Sequence, residues 1–354
     1  MGDQQNVELQ AEINGIKYTP FLCKFLKEFG IEELAIALKK KHGSFLLIIN
    51  KSNRVAVSWW VSAKRTRSYP YGRVYDTLNF GGKKITIISI FKDEGKEGDR
   101  DFLQWDTVSL MSLLGVYVII AYYRDAEKSK RYRHKITNQN FDIDYIKMQI
   151  KGIISYQSDA LHWNLAQVEK AGEIAQKALQ NYEKISKKLD VEMHSRASAE
   201  KRIRELLRGK NEFMNLSRQL AHSAQLREQR TVQPKENLAG KKALITIKNY
   251  LGGYYYFTVD EYEIQKDKIY LIEGKHSKKS LFPSLADIKD GLFKMILFTN
   301  LENVRWGNKI LKPITVLKLT AAKKFNENNL SPAQKTTLSK LRVEAKHNDF
   351  MLRI

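Results

Sequence analysis

The run Tyr254–Lys279, YYYFTVDEYEIQKDKIYLIEGKHSKK, decides how the rest of the chain is read. Tyr254–Ile264 is dense in aromatic and β-branched residues, Gln265–Asp267 breaks the pattern and Lys268–Glu273 resumes it, so the pattern predicts two β-strands joined by a short charged turn. Side chains alternate along a strand, which sets Glu273 and Lys275 on one face about 7 Å apart. Asp260 lies at the far end of the partner strand. Two carboxylates and an amine are thereby expected to converge on one edge of a sheet.

Such a trio suits cleavage of a phosphodiester. Two carboxylates can hold Mg²⁺, a hard cation that takes oxygen ligands and keeps several waters, and the metal lowers the pKa of a bound water so that it can attack phosphorus. A neighbouring lysine can orient or deprotonate that water and neutralise charge as it develops. Asp260, then twelve intervening residues, then Glu273-Gly274-Lys275 resembles the PD-(D/E)xK nucleases, the superfamily that includes most type II restriction endonucleases. The resemblance implies that Asp260 and Glu273 bind metal and that Lys275 is the catalytic lysine. Val259 stands where that pattern has its proline, which leaves Glu261 or Glu263 open as the first acid. A lone Glu-x-Lys on a strand is ordinarily a surface ion pair, so its weight comes from its surroundings.

Those surroundings read as helix, three strands, helix, strand, the core order that the resemblance implies. A helix is predicted over Glu212–Arg230, with Phe213, Leu216, Leu220 and Ala224 as its apolar stripe and Arg218, His222, Gln225 and Gln229 on another face. Arg and Gln are residue types that read base edges and phosphates. Ala243–Tyr250 is a strand and Gly252-Gly253 a turn. Pro283 and Ser284 open a helix through Leu297 with Leu285, Ile288, Leu292 and Ile296 on one side, Ile314–Leu319 is a strand, and a polar helix runs from Ser331 to about Lys346. The resemblance covers about Glu212 to Ala321, and IEGKHSKKSLFPSLADIKDGLFKMILFTNL in particular looks like type II restriction endonucleases. Lys278 and Lys279 in that segment join the candidate DNA-binding residues.

The chain is long enough, at 354 residues, for two domains with proper cores or for one elaborated α/β domain, and its hydrophobic fraction of 43% makes it a folded protein. A formal charge of +22 points to a polyanionic partner, nucleic acid first among them. Cys23 is the single cysteine, which excludes a disulfide framework and a Cys-based zinc site and fits the cell interior. No signal-peptide pattern opens the sequence. The longest uncharged stretch, Thr107–Tyr123, is too short to span a bilayer.

Upstream, Pro20–Lys40 has helical periodicity in Phe21, Phe25, Phe29, Leu34 and Leu38. Strands are predicted at Phe45–Ile49, Arg54–Ser62, Lys84–Phe91 and Val116–Tyr123, an acidic loop at Lys92–Asp101 and a helix at Phe102–Leu114. Lys64, Arg65, Arg67 and Arg73 sit with Tyr69, Tyr71 and Tyr75 in a segment without an acid before Asp76, a pattern suited to phosphates, guanine edges and stacked bases. Asp93, Glu94, Asp99 and Asp101 leave open a second nuclease-like unit, although Ile90 stands where an acid two positions before Lys92 would be needed. Residues 141–210 read as a helical connector, with a heptad-like run between Leu161 and Leu189 that suits a coiled-coil contact or, since Gly172 and Ser186 occupy seam positions, packing along its own domain.

The expectation is therefore an α/β protein with a PD-(D/E)xK (restriction-endonuclease-like) core at its C-terminus (211–354), an N-terminal α/β domain for DNA recognition (1–140) and a helical connecting region (141–210). The resemblance implies a Mg²⁺-dependent, site-specific endonuclease of double-stranded DNA in the cytoplasm of a bacterial or archaeal cell, with no membrane partner. Cutting both strands favours a homodimer. A repair or defence nuclease without a fixed site, and a DNA-binding protein of nuclease-like fold without catalysis, stay open as alternatives.

Overall fold

The computed structural model describes residues 7–39, 41–61, 69–208, 211, 214–215, 218–219, 222–223, 242–322 and 325–354. It is a mixed α/β protein with several mixed sheets. Among the described residues no helix is long and apolar enough to cross a membrane. The chain divides into two compact units, Met1–Lys24 with Arg218–Ile354, and Phe25–Ser217. The division differs from the expected one at the N-terminus, because the first residues join the C-terminal unit, and residues 141–210 share a unit with the strands before them.

The reason lies in the first described strand. In β1 (Val7–Ile13), Val7, Leu9, Ala11 and Ile13 are buried and the residues between them exposed, the period of a half-buried strand. It runs parallel to β2 (Ala243–Asn249), with Val7 opposite Ala243 and Ile13 opposite Asn249. β2 turns through Gly252, whose φ of +77° suits glycine, into antiparallel β3 (Tyr254–Val259).

The long strand expected over Tyr254–Ile264 is in fact two. β3 ends at Val259, and β4 (Glu261–Gln265) belongs to a second sheet. Asp260 is the residue at which the chain passes from one sheet to the other. β4 pairs antiparallel with β5 (Lys268–Ser277), four residues longer than expected, and the turn between them has Lys266 at φ +57°.

Helix α1 (Leu285–Phe298) follows, capped by the Ser284 hydroxyl, which accepts from the Asp287 amide. β6 (Glu302–Trp306) pairs with β1 and with β7 (Lys309–Ile310). β8 (Lys312–Ala321) then lies parallel to β5, with Glu273 opposite Leu317 and Lys275 opposite Leu319. α2 (Pro332–His347) starts with a capping box between Ser331 and Gln334, and β9 (Met351–Arg353) pairs parallel with β8. The sheet orders are β3-β2-β1-β6-β7 and β4-β5-β8-β9.

Ile288, Leu292, Met295 and Ile296 bury the sheet-facing side of α1. Gly291 sets how closely it approaches. A Cβ there would lie 2.7 Å from Leu317 Cδ1 and 3.3 Å from Lys275 Cε, so a side chain would have to displace the buried Leu317 side chain and crowd Lys275. An interior helical glycine costs about 1 kcal/mol relative to alanine, and here the close contact with Leu317 favours it.

In the unit Phe25–Ser217 a five-stranded sheet runs in the order Glu28–Gly30, Ser44–Ile48, Arg54–Trp59, Lys84–Ser89, Val116–Ala121. The helix expected over Pro20–Lys40 shrinks to Leu34–Ala37, after a strand and a 3-10 turn. Its aromatic spacing misled, for Phe29 is buried while Phe25 is 91% exposed. The acidic loop is a hairpin of Phe91–Asp93 with Arg100–Phe102. The heptad-like run is two helices, Ala160–Glu169 and Ala171–Leu189, and Ala175, Ala178, Tyr182 and Ile185 of the second are buried.

Candidate active site

The described structure brings Asp260, Glu273 and Lys275 together. Asp260 accepts a hydrogen bond at Oδ2 from the Gly274 amide at 2.9 Å, which holds the carboxylate at the sheet break against the middle of β5. Lys275 Nζ lies 2.8 Å from Glu273 Oε1. Both acids are buried, Asp260 at 4% exposure and Glu273 at 1%. Neither Glu261 nor Glu263 takes the place of Asp260. Glu261 pairs with Lys318 at 2.6 Å and Glu263 with Arg353 at 2.8 Å, and the register sets Glu261 opposite Ile272, on the other face of β5 from Glu273.

Two further residues complete the cluster, both from α1. Asp290 Oδ2 accepts from Lys275 Nζ at 2.5 Å. Lys294, one turn later, donates to Glu273 Oε2 at 2.7 Å and to the Thr258 carbonyl at 3.2 Å, and its ammonium is 3.9 Å from Asp260 Oδ1. Sequence reasoning missed this pair. Its signal was present all the same: Asp290 and Lys294 flank Gly291 and Leu292 on a helix that is otherwise apolar on most sides.

Burial and like charge act together on Asp260, whose carboxyl is pushed up to about 7, first by desolvation and then by Glu273. Glu273 goes the other way. Burial opposes its ionisation, yet the Lys275 and Lys294 ammonium groups hold it at about 2. Lys275 is raised well above the ordinary lysine value, since Glu273, Asp290 and Asp260 outweigh its desolvation. Glu273 and Lys275 are thus both charged at neutral pH.

Among the described residues no three His, Cys, Asp or Glu side chains are grouped as metal ligands. A pair of hard carboxylate oxygens is nonetheless the donor set that Mg²⁺ uses, because it keeps most of its waters. The cluster also draws cations, as the two ammonium groups on Glu273 demonstrate. The residues present therefore fit a hydrated divalent cation held by Asp260 and Glu273.

The other candidates are scattered. Lys64, Arg65, Arg67, Gln225 and Gln229 lie outside the described residues. Arg73 sits on the short helix Tyr69–Tyr75, donates to the Trp59 carbonyl at 2.8 Å and stacks 4.5 Å from the Trp59 ring, so its guanidinium is engaged within the fold. Tyr71 and Tyr75 beside it are buried and cannot stack on bases. Arg218 donates to the Gly252 carbonyl at 2.8 Å and lies 4.7 Å from the Tyr254 ring, while His222 meets Tyr256 edge to face at 5.5 Å. Both brace the β2–β3 hairpin. Lys278 and Lys279 are exposed and line a crevice of about 570 Å³ beside Ser284 of the α1 cap and Gln334 of α2.

Among the described residues the acids of the N-terminal hairpin form no group of three metal-ligating side chains. Asp93 is buried against the Gly95 amide and His194 Nδ1, and Glu94 is held below the usual carboxylate range by Lys92 and Lys135 despite its burial. Asp99 is exposed and Asp101 buried.

Set against protein-family models, curated proteins and solved structures, the chain matches none.

Proposed function

We propose that the protein is a Mg²⁺-dependent nuclease of the PD-(D/E)xK type, acting on double-stranded DNA, and that its biological role is site-specific restriction. The observation that carries this reading is the convergence of Asp260, Glu273 and Lys275 at a break between two sheets, next to two parallel strands joined by α1. A surface Glu-x-Lys pair would be exposed; here Glu273 is buried and Lys275 half-buried among further charges. The order β2, β3, β4, β5, α1, β8 follows the one the resemblance implies only in part, because β3 and β4 lie in different sheets and β6 and β7 stand between α1 and β8.

Bound at Asp260 and Glu273, Mg²⁺ would supply an acidified water and a counter-charge to the phosphate. Lys275 stays protonated at neutral pH, so its task is to neutralise charge building on the phosphate and to orient the attacking water by donation. Deprotonating that water, the other role the sequence left open for this lysine, is disfavoured. Glu273 fixes the Lys275 ammonium from one side and Asp290 from the other. The charge of +22 supports a polyanionic substrate, and action on both strands of DNA in the cytoplasm suits a homodimer.

Supercoiled plasmid incubated with Mg²⁺ tests the reading. Discrete fragments from the wild type and none from Lys275→Ala or Asp260→Ala are expected. A smear or nicking alone would favour a repair or defence nuclease without a fixed site. Intact plasmid with the wild type in both Mg²⁺ and Mn²⁺ would leave a DNA-binding protein without catalysis.

A further inference from the structure

Lys294 occupies a particular environment. Its ammonium faces three oxygens: Glu273 Oε2 at 2.7 Å, the Thr258 carbonyl at 3.2 Å and Asp260 Oδ1 at 3.9 Å. Two carboxylate oxygens and a carbonyl are the kind of donor set that a hard divalent cation takes. The same two carboxylates are the pair to which the nuclease reading assigns the metal. Lys275 engages the opposite oxygen of Glu273 and is clamped by Asp290, so the two lysines do not share one position. Lys294 is the ammonium that lies within 4 Å of both Asp260 and Glu273 among the described residues.

Two carboxylates this deeply buried need a positive charge to be ionised together. The fold supplies one on a tether. Lys294 is carried by α1, which Gly291 lets approach the strands closely enough for the ammonium to reach both acids. A lysine stem has four rotatable carbons and a compact, strongly hydrated head, so it can swing out of the oxygen set while the helix stays in place.

We propose that Lys294 is a tethered stand-in for the divalent cation. In the cation-free protein its ammonium fills the space between Asp260 and Glu273, and it must leave when a divalent cation binds there. This rests on the nuclease reading for the identity of the metal ligands. It adds that metal affinity is set by competition with a side chain of the same chain. Without DNA the site is therefore held closed, and cation binding carries the cost of moving Lys294.

The test is cation binding to the full-length protein without DNA, using Mn²⁺ or Ca²⁺ as the probe, by titration calorimetry and by the shift in melting temperature. Lys294→Met removes the charge and keeps the bulk. It is expected to melt below the wild type without cation, to bind Mn²⁺ tenfold or more tighter, and to gain more in melting temperature from added Mn²⁺ or Ca²⁺. Lys294→Gln, which can still donate to Glu273, provides a second uncharged variant should the methionine protein fail to fold, and the same gain is expected. Equal cation binding by wild type and both variants, with Mg²⁺-dependent cleavage by the wild type intact, overturns the stand-in alone. Weaker binding in the variants also overturns it, since Lys294 would then help to hold the cation. No cation binding by any of the proteins together with no cleavage by the wild type overturns the nuclease reading and the stand-in together.

Discussion

Asp290 Oδ2 lies 2.5 Å from Lys275 Nζ, joining the first turn and a half of α1 to the end of the strand that carries Glu273. The contact gives Lys275 a second carboxylate partner besides Glu273, and both raise its proton affinity. Asp290 is on this account a positioning residue. Asp290→Asn is expected to lower Mg²⁺-dependent cleavage by about tenfold to a hundredfold, the usual effect of losing an outer partner of a catalytic group. It should also move the alkaline limb of the cleavage profile to lower pH, since Lys275 then gives up its proton more readily. A drop in rate with the limb unmoved would mean that Asp290 only packs the helix.

How legible this cluster was in the sequence depends on what each residue type reveals locally. Glu273 and Lys275 share a strand, so period-two alternation was enough to set them on one face. Asp260 was readable as a candidate, but the change of sheet at that residue was not, because Val259 and Glu261 both look like strand and nothing local marks the break. Asp290 and Lys294 were passed over because charges on a helix ordinarily mark its wet face; here they point at other charges, and Gly291 was the one local sign of close approach. β1 shows the same limit at longer range. Its alternation is regular, yet three of its seven residues are polar, and its partners at Ala243–Asn249 and Glu302–Trp306 are distant in the chain. Phe21, Phe25 and Phe29 imitated a helix because spacing alone does not say which side chains become buried.

The central place of β1 can be tested against that false helix. Leu9 is 1% exposed between Ile245 of β2 and Trp306 of β6, so Leu9→Ala should destabilise the C-terminal unit by about 2–5 kcal/mol. Phe25→Ala, at a side chain 91% exposed, should stay within about 0.5 kcal/mol of the wild type. Hydrogen exchange at the amides of Ala243–Asn249 reads both. Equal protection in the two variants would contradict the burial of β1 at the centre of its sheet.

Asp260 makes stability depend on pH in a direction opposite to that of most acids. Its carboxyl is pushed up from 3.8 to about 7, so the folded chain binds this proton more tightly than the unfolded chain. The associated stability is complete below about pH 4 and is lost as pH rises through 7. Glu273 has the reverse sign, for its value falls from 4.5 to about 2, and its stability is present above 4.5 and lost as pH falls through 2. Asp260→Asn should therefore gain on the wild type by up to about 4 kcal/mol between pH 4 and pH 8, since each tenfold difference in proton affinity between the folded and unfolded chain is worth about 1.4 kcal/mol. Urea unfolding of both proteins without divalent cations measures it. A constant difference across that range would mean that Asp260 ionises as an ordinary aspartate.

Lys278 and Lys279 are exposed where β5 leaves the sheet, three and four residues beyond Lys275. Neither needs to touch the cluster to matter. A strand that ends in the candidate site and then presents two ammonium groups to solvent is placed to meet the backbone on either side of a phosphate held at Lys275. Each phosphate that a protein neutralises steepens the fall of log K with log salt by about 0.9. The double variant Lys278→Ala, Lys279→Ala should make that slope shallower by about two and weaken binding to all duplexes alike, because phosphates carry no sequence. Binding measured from low to moderate salt, with two unrelated duplexes, separates the outcomes. A shallower slope on both supports a backbone contact, a loss confined to one duplex would make these lysines readers of base edges, and an unchanged slope would return them to the solvent.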